Sequence, residues 1–170
     1  FQDTRLFKES LLENIRAARP EASRDEVLAA AHAAQCDDIL EKLPQGLDTV
    51  VGTKGVYLSG GEQQRIALAR AMLKNAPIVV LDEATAFADP ENEHQIQKAF
   101  EALTRNKTVL MIAHRLSTVQ DADNIIVLND GKIAEQGNHR DLLQKNGVYA
   151  AMWADYQRSA QWKVGKEAAV

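Results

Sequence analysis

The sequence predicts an α/β fold in which a mostly parallel sheet is flanked by helices. Three short apolar runs carry this prediction, because none of them alternates between polar and apolar residues: 78–81, 108–113 and 125–128. Strands of this kind are typical of a parallel sheet that is buried on both faces. Segments with helical spacing lie between the strands. We therefore expect helices on both sides of the sheet.

Helices are predicted through the first third of the chain. Ser23 and Glu26 have the spacing of a capping box, and an alanine-rich helix follows them as far as Gln35. Glycine and proline mark the boundaries of the neighbouring segments. The other elements expected here are a helix at 9–17, a helix at 37–43 and a loop at 48–57.

Strands and helices alternate in the remainder. The strand at 78–81 ends at Asp82 and Glu83, and the turn Asn129-Asp130-Gly131 predicts a hairpin. Periodicity is lost from Ser159 onward, where we expect an irregular tail. The other expected elements are helices at 61–74, 90–103, 138–145 and 148–158, and a returning hairpin strand at 132–135.

Composition limits the class of protein. The chain has 170 residues, enough for one domain, and its 45% hydrophobic and 26% charged residues are ordinary for a globular protein. The net charge of −4 argues against nucleic acid as the main partner. No run reaches the roughly 18–20 apolar residues of a membrane-spanning helix. The single cysteine, Cys36, excludes an internal disulfide and fits a reducing, cytosolic setting.

The string at 58–65, Leu-Ser-Gly-Gly-Glu-Gln-Gln-Arg, places a serine and two glycines at the start of a helix. Backbone N–H groups at a helix start are open to a ligand, and the helix dipole adds positive potential there. Ser59, Gly60 and Gly61 are therefore candidate phosphate-binding residues. The alternative is a plain helix N-cap with a glycine turn.

Asp82 and Glu83 directly follow an apolar strand. A carboxylate at the C-terminal end of a strand is the usual position of a magnesium site in an α/β sheet. The alternative is that the two acids only cap the next helix.

His114 follows the second apolar run. A histidine at the end of a strand can act on a ligand, and the alternative is a packed or exposed bystander. The other histidines match no motif and are expected to be surface residues: His32, His94 and His139.

Together these strings resemble the motifs of the ATPase domain of ABC transporters, in the order of that family. The string 58–65 resembles the signature motif, and 78–85 resembles Walker B. Residues 112–115 resemble the region of the switch histidine, 1–3 the Q-loop and 86–89 the D-loop. The resemblance covers nearly the whole chain. It implies a partial P-loop NTPase fold, with a helical subdomain beside the sheet.

The resemblance also implies a role for each candidate. Asp82 would hold Mg²⁺ through water, and Glu83 would polarise the attacking water as general base. His114 would contact the γ-phosphate of ATP and sense its loss. Gln2 would reach the Mg²⁺ and the attacking water, and would link the site to the transmembrane part. The residues implied in nucleotide binding are Ser59, Gly60, Gly61, Glu62 and Asp89, the last of which would cross a dimer interface.

Two stretches, 10–15 and 46–52, resemble the exporter-type branch, in which the ATPase follows its membrane helices in one polypeptide. Thr53 stands where that branch often has a glutamate in the loop that touches the coupling helices. We therefore do not expect Thr53 to make that contact. The usual Ser-Ala-Leu of the D-loop is replaced at 86–88 by Ala-Phe-Ala. This variant, with the ending at 149–153, resembles exporters linked to iron–siderophore handling in bacteria.

The phosphate-binding pattern G-x-x-x-x-G-K-[ST], or Walker A, does not occur in the sequence. In the family this loop lies upstream of the Q-loop, so we expect the chain to be part of a longer protein. By itself the chain is expected to bind ATP poorly and not to hydrolyse it. Its sheet is expected to have unprotected edges.

The expected organisation is one ABC ATPase domain at 1–158, followed by a tail at 159–170. Within it, a helical subdomain at 3–75 precedes a catalytic core at 76–158. The resemblance implies ATP and Mg²⁺ as cofactors, and it places the domain on the cytoplasmic face of a bacterial inner membrane. The implied partners are a second ABC ATPase domain and a transmembrane domain in the same polypeptide, without nucleic acid. Two alternatives remain: a non-enzymatic regulatory module built on this fold, and a soluble ABC ATPase of DNA repair or translation.

Overall fold

The structure is a computed structural model that describes residues 5–52, 56–82, 90–113 and 116–167. In these ranges it does not describe the side chains of 82, 90, 91 and 160–167. The chain divides after Ile112 into two compact units, and each is described by itself. The predicted boundary between a helical subdomain and a catalytic core remains a prediction.

The first unit contains most of the helices and a pair of strands. Its elements, in chain order, are α1 (Leu11–Arg16), α2 (Arg24–Ala33), α3 (Asp37–Lys42), a 3₁₀ helix (Gly46–Asp48), α4 (Gly60–Lys74), β1 (Ile78–Asp82), α5 (Pro90–Thr104) and β2 (Thr108–Ile112).

The capping box predicted at the start of α2 is confirmed. The Glu26 N–H donates to the Ser23 hydroxyl oxygen at 3.3 Å, and the Ser23 N–H donates to the Glu26 carboxylate at 2.8 Å. Helix α1 begins two residues later than predicted, at Leu11, because Ser10 caps it through the Glu13 N–H. In each case a serine oxygen satisfies an N–H that has no partner inside the helix.

Helix α4 is the centre of the first unit and contacts α1, α2 and α5. Its side chains Ile66 and Leu68 are fully buried, in one core with Ile15 and Val27. Full burial of such a side chain stabilises the fold by about 1.5–3 kcal/mol. Cys36 is buried in the same core, and burial raises the pKa of its thiol to about 12. The thiol is therefore not a reactive nucleophile at neutral pH.

The buried amide of Asn14 fastens the N-terminal segment to α4. Its Oδ1 accepts from the Phe7 N–H at 2.8 Å and from Arg70 Nη2 at 2.7 Å. Its Nδ2 donates to the carbonyls of Phe7, Glu9 and Ser10 at 3.0–3.2 Å. A buried polar side chain with all of these partners costs little to bury and specifies one arrangement of the elements around it.

Strands β1 and β2 are parallel, as predicted, with Ile78 opposite Thr108 and Asp82 opposite Ile112. The prediction that the sheet is buried on both faces is wrong for the described residues. Val79 is buried, but Val80 is 53% exposed and every residue of β2 is exposed. Successive side chains of a strand point to opposite faces, and the helices of this unit cover the face of Val79. Each strand has one edge without a strand partner among the described residues.

The second unit consists of a hairpin and two helices. Its elements are a 3₁₀ helix (Leu116–Thr118), β3 (Ile125–Asn129), β4 (Lys132–Gly137), α6 (His139–Gln144) and α7 (Val148–Glu167). The predicted hairpin is confirmed, because β3 and β4 pair in antiparallel fashion around Asp130 and Gly131. Both turn residues have positive φ, +49° and +73°, which is the requirement of a type I′ turn.

The end of the chain differs from the prediction. Helix α7 continues to Glu167, so the irregular tail expected from Ser159 is wrong for residues 159–167. A helix that has already begun adds residues without needing apolar periodicity, and this stretch contains several good helix formers and no proline. No helix in the described ranges has the length and apolarity needed to cross a membrane.

One of the histidines expected at the surface is instead half-buried. The ring of His139 packs edge-on against Tyr149 and Trp153, and its Nδ1 is 2.8 Å from the Tyr149 hydroxyl oxygen. The other two, His32 and His94, are exposed as predicted. His139 therefore belongs to the packing between α6 and α7.

Candidate functional site

The structure describes only part of the predicted site. Ser59, Gly60, Gly61 and Glu62 lie at the beginning of α4. Of Asp82, only the backbone is described, as the last residue of β1. The remaining predicted residues lie outside the described residues: Gln2, Glu83, Asp89 and His114. The described part of the site is the first turn of α4.

Ser59 is the N-cap of α4 and forms a capping box with Glu62. The Glu62 N–H donates to the Ser59 hydroxyl oxygen at 3.2 Å, and the Ser59 N–H donates to Glu62 Oε2 at 2.7 Å. The sequence pattern Ser-x-x-Glu, used above to predict the start of α2, also occurs here and could have identified this cap. Ser59 thus has a structural role whether or not a ligand binds.

The capping box leaves two N–H groups of the helix start open. Those of Ser59 and Glu62 are used by the box, and the Gln63 N–H donates to the Ser59 carbonyl at 2.9 Å. The N–H groups of Gly60 and Gly61 have no partner in the part of the chain that the structure describes. Two adjacent N–H groups without a partner at the positive end of a helix dipole are an arrangement that suits an anion such as a phosphate.

The two glycines differ in their surroundings. A Cβ atom added to Gly60 would have no atom within 4 Å, whereas one added to Gly61 would lie 2.7 Å from both Cβ and Cγ of Asn92 in α5. Gly60 is exposed and leaves the backbone open to an approaching ligand. Gly61 is held in a close contact between two helices.

Glu62 is buried, and both of its carboxylate oxygens have partners in the protein. Oε2 accepts from Ser59, and Oε1 is 2.9 Å from Nζ of Lys42 in α3. Burial by itself raises the pKa of this carboxyl, but the hydrogen bonds from Lys42 and Ser59 outweigh burial and hold the pKa below its ordinary value. Glu62 is therefore ionised at neutral pH and caps the start of α4; its part in nucleotide binding stays a prediction.

Arg65, one turn further along α4, is a buried residue whose importance the sequence reading did not identify. Its side chain is 1% exposed, and it donates to the Asp38 carboxylate, to the Gln35 carbonyl and to Oδ1 of Asn92. Arg65 and Asp38 are 27 residues apart in the chain. No local pattern indicates such a pair, because its members meet only after α3 and α4 have packed.

The carboxyl ends of β1 and β2 lie at the same edge of the sheet. Asp82 is directly opposite Ile112, so the last residues of the two strands are register partners. Ligands of open α/β sheets bind at this edge. The described residues contain no group of three or more His, Cys, Asp or Glu side chains that could hold a metal ion.

Comparison with known proteins gives concordant matches. A family model described as "ABC transporter" matches residues 1–86. An ATP-dependent lipid A-core flippase of Haemophilus influenzae (strain 86-028NP) is 49% identical over 154 residues, which are 90% of this chain and 26% of the flippase. The ABC transporter ATM1 of Toxoplasma gondii is 50% identical over 161 residues, 94% of this chain and 14% of that protein.

A solved structure, described as a bacterial Atm1-family ABC exporter with ATP bound, matches with a TM-score of 0.77 and 49% identity. The match covers 91% of this chain and 27% of that chain. The predicted α/β fold is thereby confirmed. The chain spans about a quarter of the length of the flippases and of the exporter that it matches.

Proposed function

This chain belongs to the ABC transporter family, and from that premise we propose that it contributes the signature and catalytic residues of an ATPase that powers transport across a membrane. The observation that carries the proposal is the pair of open N–H groups at Gly60 and Gly61, at the positive end of α4. They would donate hydrogen bonds to the γ-phosphate of an ATP molecule whose main binding site lies on a second ABC ATPase domain.

The chemical step is assigned to residues beyond the carboxyl ends of the two parallel strands. Glu83 acts as the general base that polarises the attacking water. His114 hydrogen-bonds the γ-phosphate and responds to its departure. Asp89 contacts the second domain. These roles come from the family resemblance, and they are supported by the register of β1 and β2, in which Asp82, directly before Glu83 in the sequence, and Ile112, shortly before His114, are partners.

Asp82 and Gln2 would hold Mg²⁺, Asp82 through water, since Mg²⁺ retains much of its hydration. When bound, the ion neutralises charge on the β- and γ-phosphate oxygens. The backbone of Asp82 ends β1, which is where an α/β sheet usually presents such a carboxylate.

The partners proposed are a second ABC ATPase domain, arranged head to tail, and a transmembrane domain in the same polypeptide. The site would then lie on the cytoplasmic face of a membrane. The relatives named above are described as flippases and as Atm1 transporters, which supports the exporter-type branch. None of them is described as linked to siderophores, so the bacterial iron–siderophore subgroup gains no support from them.

The test is steady-state ATP hydrolysis by the complete protein in nanodiscs, with Glu83→Gln as the variant. We expect turnover to fall at least about a hundredfold, or 2.7 kcal/mol of transition-state stabilisation, while ATP still binds. The matched control is Glu93→Gln, an exposed glutamate of α5, which should leave turnover unchanged. An inactive wild type, or an unaffected Glu83→Gln variant, would favour a regulatory module on the same fold.

A further inference from the structure

The two adjacent glycines of α4 are glycines for different reasons. Neither has the positive φ that favours glycine, so backbone conformation does not explain them. Open space surrounds Gly60, whereas the three atoms nearest to a Cβ on Gly61 are all from Asn92, at 2.7, 2.7 and 3.1 Å. Packing therefore requires glycine at 61 and not at 60.

Asn92 holds α4 at a second point, one turn beyond Gly61. Its Oδ1 accepts a hydrogen bond from Arg65 Nη2 at 3.1 Å. Arg65 is in turn fixed by Asp38 and by the Gln35 carbonyl. A single side chain in the first turn of α5 thus meets α4 by a close packing contact at Gly61 and by a hydrogen bond at Arg65.

We propose that Asn92 is a positioning residue that fixes the first turn of α4 against the first turn of α5, and that Gly61 is glycine in order to admit it. The inference rests on the proposed function. Helix α5 begins at Pro90, directly after the segment that holds Glu83 and Asp89. The open N–H groups of α4 act on the ATP of the second domain, and the Glu83 segment acts on the ATP of its own domain. Asn92 therefore couples the two ATP sites of the dimer.

The close contact between Gly61 and Asn92 leaves little space for a larger residue at position 61. An added methyl group at Gly61 would have to move from 2.7 Å to the ordinary contact range of 3.4–4 Å. The atoms that it meets, Cβ and Cγ of Asn92, are close to the α5 backbone and cannot swing away as the end of a long side chain does. The two helix starts would separate by about 1 Å, and a displacement of that size can cost about a hundredfold in rate.

The experiment is a double-mutant cycle in the complete protein, with thermal unfolding and steady-state ATP turnover as readouts. Gly61→Ala is made in the wild-type background and in the Asn92→Gly background, which lacks both clashing atoms. In the wild-type background, we expect Gly61→Ala to lower the unfolding temperature and to reduce turnover at least about tenfold. In the Asn92→Gly background, we expect the same substitution to reduce turnover less than about twofold and to lower the unfolding temperature less. A merely local destabilisation would not be relieved by a change on another helix.

Two further variants serve as matched controls. Asn92→Ala keeps the Cβ atom that lies 2.7 Å from the added methyl group, so it should not rescue Gly61→Ala. Gly60→Ala meets no atom, so it should not lower the unfolding temperature. It should reduce turnover by obstructing the ligand, and Asn92→Gly should not restore that turnover.

The proposal is overturned if Gly61→Ala behaves as the wild type in both readouts, or if its effects are equal in the two backgrounds. Failure of the proposed function has a different signature: the wild type would lack turnover, or Glu83→Gln would not reduce it. The unfolding temperatures would still decide in that case whether Asn92 and Gly61 are coupled, because they do not depend on hydrolysis.

Discussion

The guanidinium of Arg65 and the carboxylate of Asp38 form two parallel hydrogen bonds, of 2.6 and 2.9 Å, that join α4 to α3. Arg65 is 1% exposed, whereas the Asp38 side chain is 59% exposed. Burial by itself raises the pKa of Asp38, but the hydrogen bonds and charge of Arg65, together with the backbone N–H groups of Asp38 and Ile39, outweigh burial and hold the pKa below its ordinary value. Asp38 therefore compensates the buried charge of Arg65, which lies on α4, the helix that begins with the open N–H groups of Gly60 and Gly61.

Asp38→Asn should destabilise the protein, because it leaves the buried guanidinium of Arg65 without a counter-charge. We expect a loss of about 2 kcal/mol in the free energy of unfolding, less than for a fully buried pair since Asp38 is largely exposed. Denaturant unfolding measures this loss in the free energy of unfolding. The control is Glu41→Gln, an exposed residue of the same helix, and equal curves for the two variants would contradict the assignment.

Glu62→Ala and Glu26→Ala each remove one capping box, so each should cost about 1 kcal/mol of stability. Only Glu62 lies beside the open N–H groups of Gly60 and Gly61. We therefore expect ATP turnover to fall in Glu62→Ala and to stay at the wild-type level in Glu26→Ala. Equal turnover in the two variants, at matched loss of stability, would show that the cap of α4 has no part in function.

The acid sensitivity of the fold should depend on Glu62. Its pKa is lower in the folded protein than its ordinary value of 4.5, so the unfolded chain binds the proton more tightly and protonation favours unfolding. Its contribution is complete above pH about 4.5 and is lost as the pH falls through the folded pKa.

The free energy of unfolding, measured from pH about 7 to 3, should decrease less steeply in Glu62→Gln than in the wild type. Glu26 and Asp48, whose pKa values are also lowered, titrate in the same range and are left intact by this substitution. Parallel pH curves for the two proteins would refute the role of Glu62.

Glu135 of β4 caps the start of α7 and should control how firmly that helix begins. Its carboxylate accepts from the N–H groups of Val148 and Tyr149 at 3.1 and 2.8 Å. Glu135→Ala should increase hydrogen exchange at the first turn of α7 and cost about 1 kcal/mol. Glu135→Gln keeps one carbonyl oxygen and should have a smaller effect. Unchanged hydrogen exchange at the first turn of α7 in both variants would contradict the role of Glu135 as a cap.

The sequence by itself determined the features that depend on neighbouring residues. The capping box of Ser23 and Glu26 is decided within one helical turn, and the turn at Asp130 and Gly131 by two residues that tolerate positive φ. The parallel pairing of β1 and β2 was also predicted, from apolar runs without alternation that are separated by a helical segment. The signature string likewise placed the open helix start at Ser59 correctly.

Only the tertiary structure decided the contacts between residues that are distant in the chain. Asp38 meets Arg65, and Asn92 meets Gly61, after the helices have packed, and no spacing along the sequence encodes either approach. The exposure of Val80 and of all of β2 was missed for the same reason, since an apolar run is the same whether one face or both are covered. Local chemistry sets where an element begins and ends, whereas burial is a property of what the remainder of the fold brings against it.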